Sequence, residues 1–396
     1  MSWKRSGILY VVALGFGVAG CADRSTAPDA AAAPSDALAQ SQRKFWDDNA
    51  AANWNERATA LAARQAVNVS RLYAYLSLAQ LRAAESAQAI RPHPPTAAAI
   101  GTASAKVLAA YFPAFAGEID ATLAAQATAE PWPGAKHEDF AAGAAIGRAA
   151  AERVLAYSLG DRVNLTDPGT PPTTPGSWIW TGGPIVRGNL GARPFFLASA
   201  DEFRPPPPPA FGSPDFLAAL AEVRQISDTR TAEQLAIARY WNTNQSGVSN
   251  AAMNGLAVEL IRRHRRSDVE SARILFLMNA ASFDALIGCF DAKYYYWYIR
   301  PPQADPSITL PIGLPPHPSY PSAHSCNSGS STGVLGAEFP EERDRLEAIA
   351  EEASLSRLYA GIHYRFDMEA GLTIAQQLAA WALAHDVIGH EPFPIK

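Results

Sequence analysis

The helical spacing of apolar residues along most of its length is what most limits how this chain can fold. Apolar residues recur at intervals of three and four in ten Ala-rich stretches, and the alternation typical of a half-buried strand is nearly absent. These stretches cover residues 42–65, 69–90, 95–112, 139–158, 214–225, 231–241, 250–263, 267–298, 341–362 and 367–389. The pattern predicts an all-α protein made of one or more helical bundles.

Two proline-dense segments interrupt the predicted helices. Residues 167–209, called the strap here, end in a run of five prolines and must be extended or irregular, because proline fixes φ and lacks an N–H donor. A loop of about 40 residues is unusually long, so we expect the strap to pack across the helical body. The alternative is a linker between an N-terminal and a C-terminal bundle. The second segment, residues 301–321, can carry Ser322 and His324 to a helix N-terminus, whose free N–H groups favour an anion.

The first 20 residues have the pattern of a signal peptide. Two cations, Lys4 and Arg5, precede an apolar run over residues 8–18, and small residues then lead to Cys21. The run is too short to span a membrane comfortably. The small-small-Cys ending resembles a bacterial lipobox, which predicts a lipid on Cys21, whereas the alternative is an ordinary secretory signal.

These features give a predicted organisation for the whole chain. Residues 21–40 are rich in Ala, Ser, Asp and Pro and predict a flexible tether, followed by a helical domain over residues 41–396. We expect an exported lipoprotein facing the periplasm or the cell exterior, or, in the alternative, a soluble secreted or periplasmic protein. After residue 20 we expect no segment long and apolar enough to span a membrane.

Composition adds two limits. The formal net charge is −5 and the pI is about 5.9, which gives no support for nucleic-acid binding. Besides Cys21 the chain has Cys289 and Cys326, an even pair that could form a disulfide in an oxidising compartment or remain as two buried thiols. The oligomeric state has no signal in the sequence.

Three cationic motifs near the C-terminus carry the chemistry. They are Lys293-x6-Arg300-Pro301, Pro321-Ser322-Ala323-His324 and Ser356-Arg357-x5-His363, called the oxyanion motifs here. Guanidinium groups can fork onto pairs of oxygens of a phosphate or vanadate, while an ammonium group, a hydroxyl and backbone N–H groups complete the shell. One imidazole can then bond the central atom, and the other can move protons.

The spacing within the motifs suggests how the side chains converge. Lys293 and Arg300 are seven residues apart, and we expect them to share one face of a helix. Arg357 and His363 would point about 120° apart on a regular helix, so that they could flank an anion. Asp367 follows His363 by four residues and could hold its second ring nitrogen.

Together the motifs resemble the signature shared by type 2 phosphatidic acid phosphatases, bacterial class A acid phosphatases and vanadium-dependent haloperoxidases. The segments around the first and third motifs, residues 291–301 and 356–367, are most similar to the haloperoxidases. Ala323 departs from the glycine that is usual in the second motif, and alanine can serve there if its φ is negative. The resemblance implies the helical-bundle fold of that family, with its catalytic part at about residues 230–390.

Roles for individual residues also follow from the resemblance. It implies that His363 bonds the vanadium or phosphorus atom and that His324 is the acid–base residue. The remaining oxyanion contacts would come from Lys293, Arg300, Ser322, the backbone N–H of Ala323, and Arg357. His317 lies seven residues before His324, at a position that faces the halide site in haloperoxidases. Bromide-oxidising algal members tend to carry histidine there and chloride-oxidising members an aromatic hydrocarbon, although a structural loop histidine is the alternative.

The leading hypothesis is therefore a vanadate-dependent haloperoxidase. Its substrates would be hydrogen peroxide and a halide, bromide or iodide rather than chloride, and an organic acceptor could take part. The alternatives are an acid phosphatase that forms a phosphohistidine, and a non-catalytic oxyanion-binding lipoprotein. One feature departs from the family: residues 242–245 contain no carboxylate to pair with Arg357. Either the site is more cationic than usual or Arg357 has another partner.

Overall fold

The structure is a computed structural model that describes residues 49–128, 140–163, 167–242 and 248–386. Within these ranges the chain forms thirteen α-helices and no strand; one isolated bridge joins Ser177 and Tyr298. The helices are α1 (Ala50–Ala62), α2 (Val69–Ala89), α3 (Thr96–Tyr111), α4 (Ala116–Ala127), α5 (Phe140–Ser158), α6 (Pro214–Thr229), α7 (Ala232–Tyr240), α8 (Val248–Arg263), α9 (Asp268–Tyr296), α10 (Pro301–Ala304), α11 (Ala323–Glu338), α12 (Arg343–Tyr359) and α13 (Arg365–Ala384). The predicted all-α class is confirmed. The predicted signal peptide, the tether and Cys21 lie outside the described residues.

Helix α9 forms the centre of the fold. It begins at a capping box between Ser267 and Glu270, and most of its side chains are buried on all sides. The expectation that no segment after residue 20 could span a membrane was wrong by length and composition, because α9 is long and apolar enough. Most of its apolar stretch is nevertheless buried inside the protein, as in the core helix of a large bundle.

Helix α9 ends earlier than its apolar pattern predicted. Trp297 takes a left-handed conformation with φ 49° and its N–H bonds the Lys293 carbonyl, which ends the helix. Arg300 then lies in extended backbone, as expected for a residue that precedes proline. The prediction that Lys293 and Arg300 share one helix face was therefore wrong.

Helix α12 also ends before its site histidine. Gly361 has φ 75°, and the Ile362 N–H reaches back 3.2 Å to the Arg357 carbonyl, as in a Schellman motif. His363 lies in the short link to α13, so the expected 120° relation between Arg357 and His363 on one helix does not apply.

The strap packs across the helical body as predicted and is not a linker. Three tyrosine hydroxyls, from the last residue of α9 and from the loop that follows, donate to carbonyls of the strap's proline run. These hydrogen bonds are Tyr296 to Pro205 at 2.7 Å, Tyr320 to Pro206 at 2.7 Å and Tyr298 to Pro209 at 2.6 Å. Upstream, the Asp284 carboxylate of α9 accepts the N–H groups of residues 195–197 at 2.6–3.1 Å. Burial raises the pKa of Asp284 to about 7, although these three donors favour its charged form.

Helices α11 and α13 approach closely because glycines lie between them. A Cβ atom on Gly371 of α13 would lie 2.7 Å from the Ser322 carbonyl oxygen and 2.8 Å from Cβ of Ser325. A Cβ atom on Gly329 of α11 would lie 2.8 Å from Cβ of Ala375. The close contact places the start of α11, which carries the second oxyanion motif, directly against α13.

We expect Gly371→Ala to destabilise the protein by about 1–3 kcal/mol, because the new methyl group would meet backbone atoms that cannot rotate away. Thermal or urea unfolding measures the change. The matched control is Gly255→Ala on the exposed side of α8, where nothing lies within 4 Å of the added Cβ and helix propensity should raise stability by about 1 kcal/mol. Equal stability of the two variants would contradict the close packing of α11 on α13.

Candidate active site

Lys293 lies fully buried on the last turn of α9, at the loop that carries the second oxyanion motif. Its ammonium group donates to the carbonyls of Pro318 at 2.9 Å and Ser319 at 2.6 Å, and to that of Pro321. Burial lowers the pKa of Lys293 to about 8, so the group is mostly charged at neutral pH. A buried cation bonded to three carbonyls fixes the loop that leads into α11.

Arg300 lies beside this loop and is also fully buried. Its Nε donates to the His317 carbonyl at 2.8 Å and its Nη1 to the Ile362 carbonyl at 2.7 Å, so one guanidinium joins the loop to the third motif. The same Nη1 lies 3.4 Å from Nε2 of His363. Burial lowers the pKa of Arg300 to about 9, which still leaves it charged at neutral pH.

His363 is held by a carboxylate on one side and open to a cavity on the other. Its Nδ1 lies 2.8 Å from Oδ2 of Asp367, which also accepts the Ser319 hydroxyl at 2.6 Å and the Tyr364 N–H at 3.1 Å. This partner places the ring proton on Nδ1 and leaves Nε2 unprotonated, so that its lone pair can accept the 3.4 Å contact from Nη1 of Arg300. Burial beside Arg300 and Lys293 holds the pKa of His363 well below its usual range, so the ring is neutral. The expected contact with Asp367 is present, although it forms across a helix start.

Ser322 and His324 lie at the N-terminus of α11, as the sequence suggested. Ser322 is the N-cap residue and its hydroxyl accepts the Ser325 N–H, while Ala323 is the first helical residue. Ala323 is not among the residues with positive φ, so alanine replaces the usual glycine without backbone strain. The free N–H groups of this first turn add partial positive charge to the site.

Two backbone carbonyls at the C-terminal end of α7 accept hydrogen bonds from Arg357 and His324. The first takes the place of the carboxylate that is missing from residues 242–245. Nη2 of Arg357 donates to the Ala238 carbonyl at 3.1 Å, and Nε2 of His324 donates to the Trp241 carbonyl at 2.9 Å. Among the described residues no carboxylate forms an ion pair with Arg357. Carbonyls at a helix C-terminus carry partial negative charge and need donors, so they suit both side chains. The indole of Trp241 is itself held by Glu352 on α12 at 3.0 Å.

His324 is half-buried beside Arg357. Burial and that positive charge lower its pKa to about 3, so the ring is neutral at physiological pH. Because Nε2 carries the proton donated to Trp241, Nδ1 is the basic nitrogen. Burial lowers the pKa of Arg357 to about 10.

A cavity of about 410 Å³ opens above these side chains. Arg357, His324, His363 and His317 line it, whereas Lys293 and Arg300 lie behind its wall. Of the described residues that line it, none is acidic. The His317 ring lies 5.3 Å from that of Phe290, and its Nδ1 lies 3.1 Å from Nη2 of Arg300. The predicted site residues thus converge, although Lys293, Arg300 and Ser322 are fully buried and do not line the cavity themselves.

Cys289 and Cys326 are both buried and free in this structure. The thiol of Cys289 lies 3.8 Å from the Pro321 carbonyl oxygen, which also accepts a bond from Lys293. Of the two alternatives left by the sequence, the structure has the pair of buried thiols.

Several cavity residues lie outside the three motifs and were missed by sequence reasoning. They come from the N-terminal half and from the strap: Asn68, Ser70, Arg187 and Asn189, together with Asn250 on α8. Asn250 donates to Asn327 of α11 at 2.9 Å. These residues belong to no recurring motif, and most of them lie more than 100 residues before the first oxyanion motif, so nothing in the sequence connects them with the site.

Comparison with known proteins shows which families have a similar sequence and fold. Residues 271–386, which contain all three oxyanion motifs, match the PAP2 superfamily. The match ends well short of the whole cavity: Asn68, Ser70 and strap residues 185–189, which also line it, lie outside the matched segment. No curated protein matches the chain by sequence.

Solved structures extend the likeness to most of the chain. A bacterial vanadium-dependent iodoperoxidase aligns with TM-score 0.70 and 24% identity, over 84% of this chain and 94% of that chain. The apo form of a bacterial vanadium-dependent chloroperoxidase aligns with TM-score 0.63 and 13% identity, over 79% and 91%. A holo form aligns with TM-score 0.62 and 14% identity, over 79% and 89%. The protein has the helical vanadium haloperoxidase fold, as the sequence resemblance implied.

Proposed function

We propose that this protein is a vanadate-dependent haloperoxidase that uses hydrogen peroxide to oxidise bromide and iodide better than chloride. The observation that carries the proposal is the neutral His363, which lines the cavity, whose Nδ1 is held by Asp367 and whose unprotonated Nε2 makes only a long 3.4 Å contact with Nη1 of Arg300. A neutral imidazole with one nitrogen held in this way is the usual form of a histidine ligand. The fold shared with vanadium-dependent peroxidases supports it.

The donor set fits orthovanadate. The cavity wall combines Arg357 with the start of α11 and contains no acidic side chain among its described residues. Such a wall favours a small oxyanion and disfavours a bare metal cation. His363 would hold the vanadium, while Arg357 and the Ala323 N–H would hold the oxygens. Lys293 and Arg300 would add positive charge from behind the wall, and Ser322, which is fully buried there and caps α11, would act by fixing the start of that helix. Bound vanadate would supply the Lewis acidity that activates peroxide toward a halide.

His324 is the residue of this chain that would move protons. Its Nδ1 is unprotonated and carries the lone pair of the neutral ring, because Nε2–H donates to the Trp241 carbonyl. Nδ1 can therefore accept a proton from hydrogen peroxide and later return it to the hydroxide that leaves. The cationic wall would attract the halide anion and hold it close to the reacting oxygen.

An acid phosphatase is the second candidate, since the PAP2 domain match alone includes it. Its chemistry would use Nε2 of His363 as nucleophile and a protonated His324 as acid. The test loads purified protein with orthovanadate and measures peroxide-dependent bromide and iodide oxidation beside hydrolysis of a phosphate ester. We expect vanadate-dependent oxidation. Ester hydrolysis without any such oxidation would overturn the proposal, and vanadate or phosphate binding without either activity would favour a non-catalytic oxyanion-binding protein.

The predicted halide preference depends on His317. Its ring lines the cavity between Phe290 and Arg300 and is neutral, because burial lowers its pKa well below the usual range. We expect His317→Phe to raise the ratio of chloride to bromide oxidation, measured as kcat/KM, because a dry aromatic wall replaces a polar ring. His317→Gln keeps a polar contact to Arg300 and is expected to keep the wild-type ratio. Robust chloride oxidation by the wild type, or an unchanged ratio in His317→Phe, would contradict this role.

A pH dependence follows from the carboxylate that holds His363. Burial raises the pKa of Asp367 to about 6, so the group is charged at pH 7 and becomes neutral as the pH falls through 6. Vanadate affinity should therefore fall as the pH drops from 7 to 5. We expect Asp367→Asn to weaken binding by about 10–100-fold at pH 7 and to lack this acid-side loss. Vanadate titrations across this pH range measure the affinity and its loss in acid. If Asp367→Asn lost affinity in acid as the wild type does, the loss would have to come from another titrating group.

Export as a lipoprotein is part of the proposal. The support is the basic and apolar N-terminal pattern that ends at Cys21. Detergent phase partitioning of the full-length protein expressed in bacteria tests it. We expect the wild type in the detergent phase and Cys21→Ser in the aqueous phase; equal partitioning of both would contradict lipidation.

A further inference from the structure

The cavity has more room than a small oxyanion, peroxide and a halide need. Its volume of about 410 Å³ lies in the range of sites for small organic ligands, which is about 300–1,000 Å³. Two chemically different groups of residues line it. Arg357, His363 and His324 come from the oxyanion motifs, whereas Leu286 and Phe290 of α9 give an apolar surface beside the strap, where Gly188, next to Arg187, contacts the Phe290 ring.

The strap holds Arg187 at this wall through the residues on either side of it. The Val186 N–H donates to the Pro316 carbonyl at 3.1 Å, and the Tyr294 hydroxyl donates to the Val186 carbonyl. Gly188 has φ 54° and lies so close to the Phe290 ring that an added Cβ would be 2.3 Å from it. The strap therefore presses directly onto α9 next to Arg187.

Asn189 fixes the other side of the same turn. It is nearly fully buried, and its Oδ1 accepts bonds from Asn68 at 3.2 Å and Ser70 at 3.1 Å. Its Nδ2 donates to the Phe283 carbonyl of α9 at 3.2 Å. With backbone fixed before and after it, Arg187 has a defined place at the cavity although it belongs to an irregular segment.

We propose that Arg187 binds the negative group of an organic acceptor, an aromatic carboxylate whose ring packs on Phe290 and Leu286, and so selects anionic over neutral acceptors. The absence of acidic side chains from the described lining leaves a carboxylate no nearby repulsive partner. A guanidinium can bind a carboxylate through two parallel hydrogen bonds, and the apolar wall suits an aromatic ring. This inference rests on the proposed haloperoxidase function and adds the class of acceptor.

The reaction balances with the substrates of the proposed activity. Overall, an aromatic C–H, hydrogen peroxide, a halide ion and a proton give the aryl halide and two molecules of water. The halide loses two electrons to the peroxide, whose O–O bond breaks. The ring carbon then gains the halogen and loses its proton to solvent or to a basic side chain.

The test measures binding, so that it does not depend on turnover. Calorimetric titrations of the full protein use 4-hydroxybenzoate and, as a neutral match, 4-hydroxybenzamide, each with and without saturating orthovanadate. We expect the wild type to prefer the carboxylate by about tenfold or more, which corresponds to one charge-assisted contact. Arg187→Gln should reduce the preference to within about twofold, and Arg187→Lys should retain much of it.

Arg153→Gln is the control. Arg153 is exposed and does not line the cavity, so this variant makes the same charge change and should keep the wild-type preference.

Two results would overturn the inference. One is an equal affinity of the wild type for both probes, or a preference that Arg187→Gln leaves intact. The other is a carboxylate preference that disappears when orthovanadate is added, because the probe would then bind at the oxyanion motifs. A different result would show that the proposed function itself is wrong, namely that the wild type forms no triiodide in a vanadate-dependent assay run without any acceptor.

Discussion

His363→Ala is expected to abolish both vanadate binding and halide oxidation. In the proposed site the other contacts to the oxyanion would be hydrogen bonds and charge, which phosphate or sulfate in the buffer can also satisfy. The imidazole would provide the one bond to vanadium. Its Nε2 is kept unprotonated by the 2.8 Å contact from Nδ1 to Asp367, so removal of the ring removes the ligand and leaves a buried carboxylate without one of its donors.

Equilibrium dialysis with orthovanadate measures the binding, and triiodide formation measures the oxidation. The control is His93→Ala, which removes an exposed histidine far from the motifs and should leave both unchanged. A circular dichroism melt shows whether the His363 variant is folded. Near-native vanadate affinity in a folded His363→Ala protein would disprove the ligand role.

His324→Ala is expected to keep vanadate and to lose most of the turnover. Its ring is a proton carrier in the proposal and makes no bond to vanadium, so affinity should change by no more than a few fold. Loss of a positioned general acid–base group costs about 10²–10⁴ in rate. Because the pKa of His324 is lowered to about 3, the wild-type ring is unprotonated across the neutral range.

Separate measurements of vanadate affinity and kcat test this role. The loss should appear in kcat with the vanadate dissociation constant nearly unchanged. His324→Gln serves as a second variant, since it retains a polar group near the Trp241 carbonyl but cannot accept the proton. Recovery of turnover in His324→Gln would assign the histidine a structural role in place of proton transfer.

The sequence predicted the helical class well because ten helices have a clear apolar period. The ten stretches do not cover α4, the four-residue α10 or α11. The start of α11 was expected at Ser322 and His324, but its sequence from Ser325 to Thr332 is mostly small and polar and has neither an apolar period nor helix propensity. This helix forms because α9, α12 and α13 surround it and because glycines at its contacts allow close packing. Tertiary packing of this kind has no local signature.

The oxyanion motifs were found from spacing, but their geometry was not. Arg300 reaches the site from extended backbone, and His363 from a link between helices, since Trp297 and Gly361 end the helices first. The partner of Arg357 is a backbone carbonyl of α7, which any residue type could supply, and for that reason no sequence pattern predicts it.

The α7 carbonyls have a consequence for how the site responds to its surroundings. A peptide carbonyl does not titrate at any physiological pH, and no side-chain substitution at Ala238 or Trp241 deletes it. A carboxylate at this place would gain and lose charge with acidity and would cancel part of the charge of Arg357. The dipoles of α7 instead orient Arg357 and His324 while leaving the full positive charge of Arg357 for the anion, so on this side of the site the charge does not change with acidity, in contrast to Asp367 on the other side.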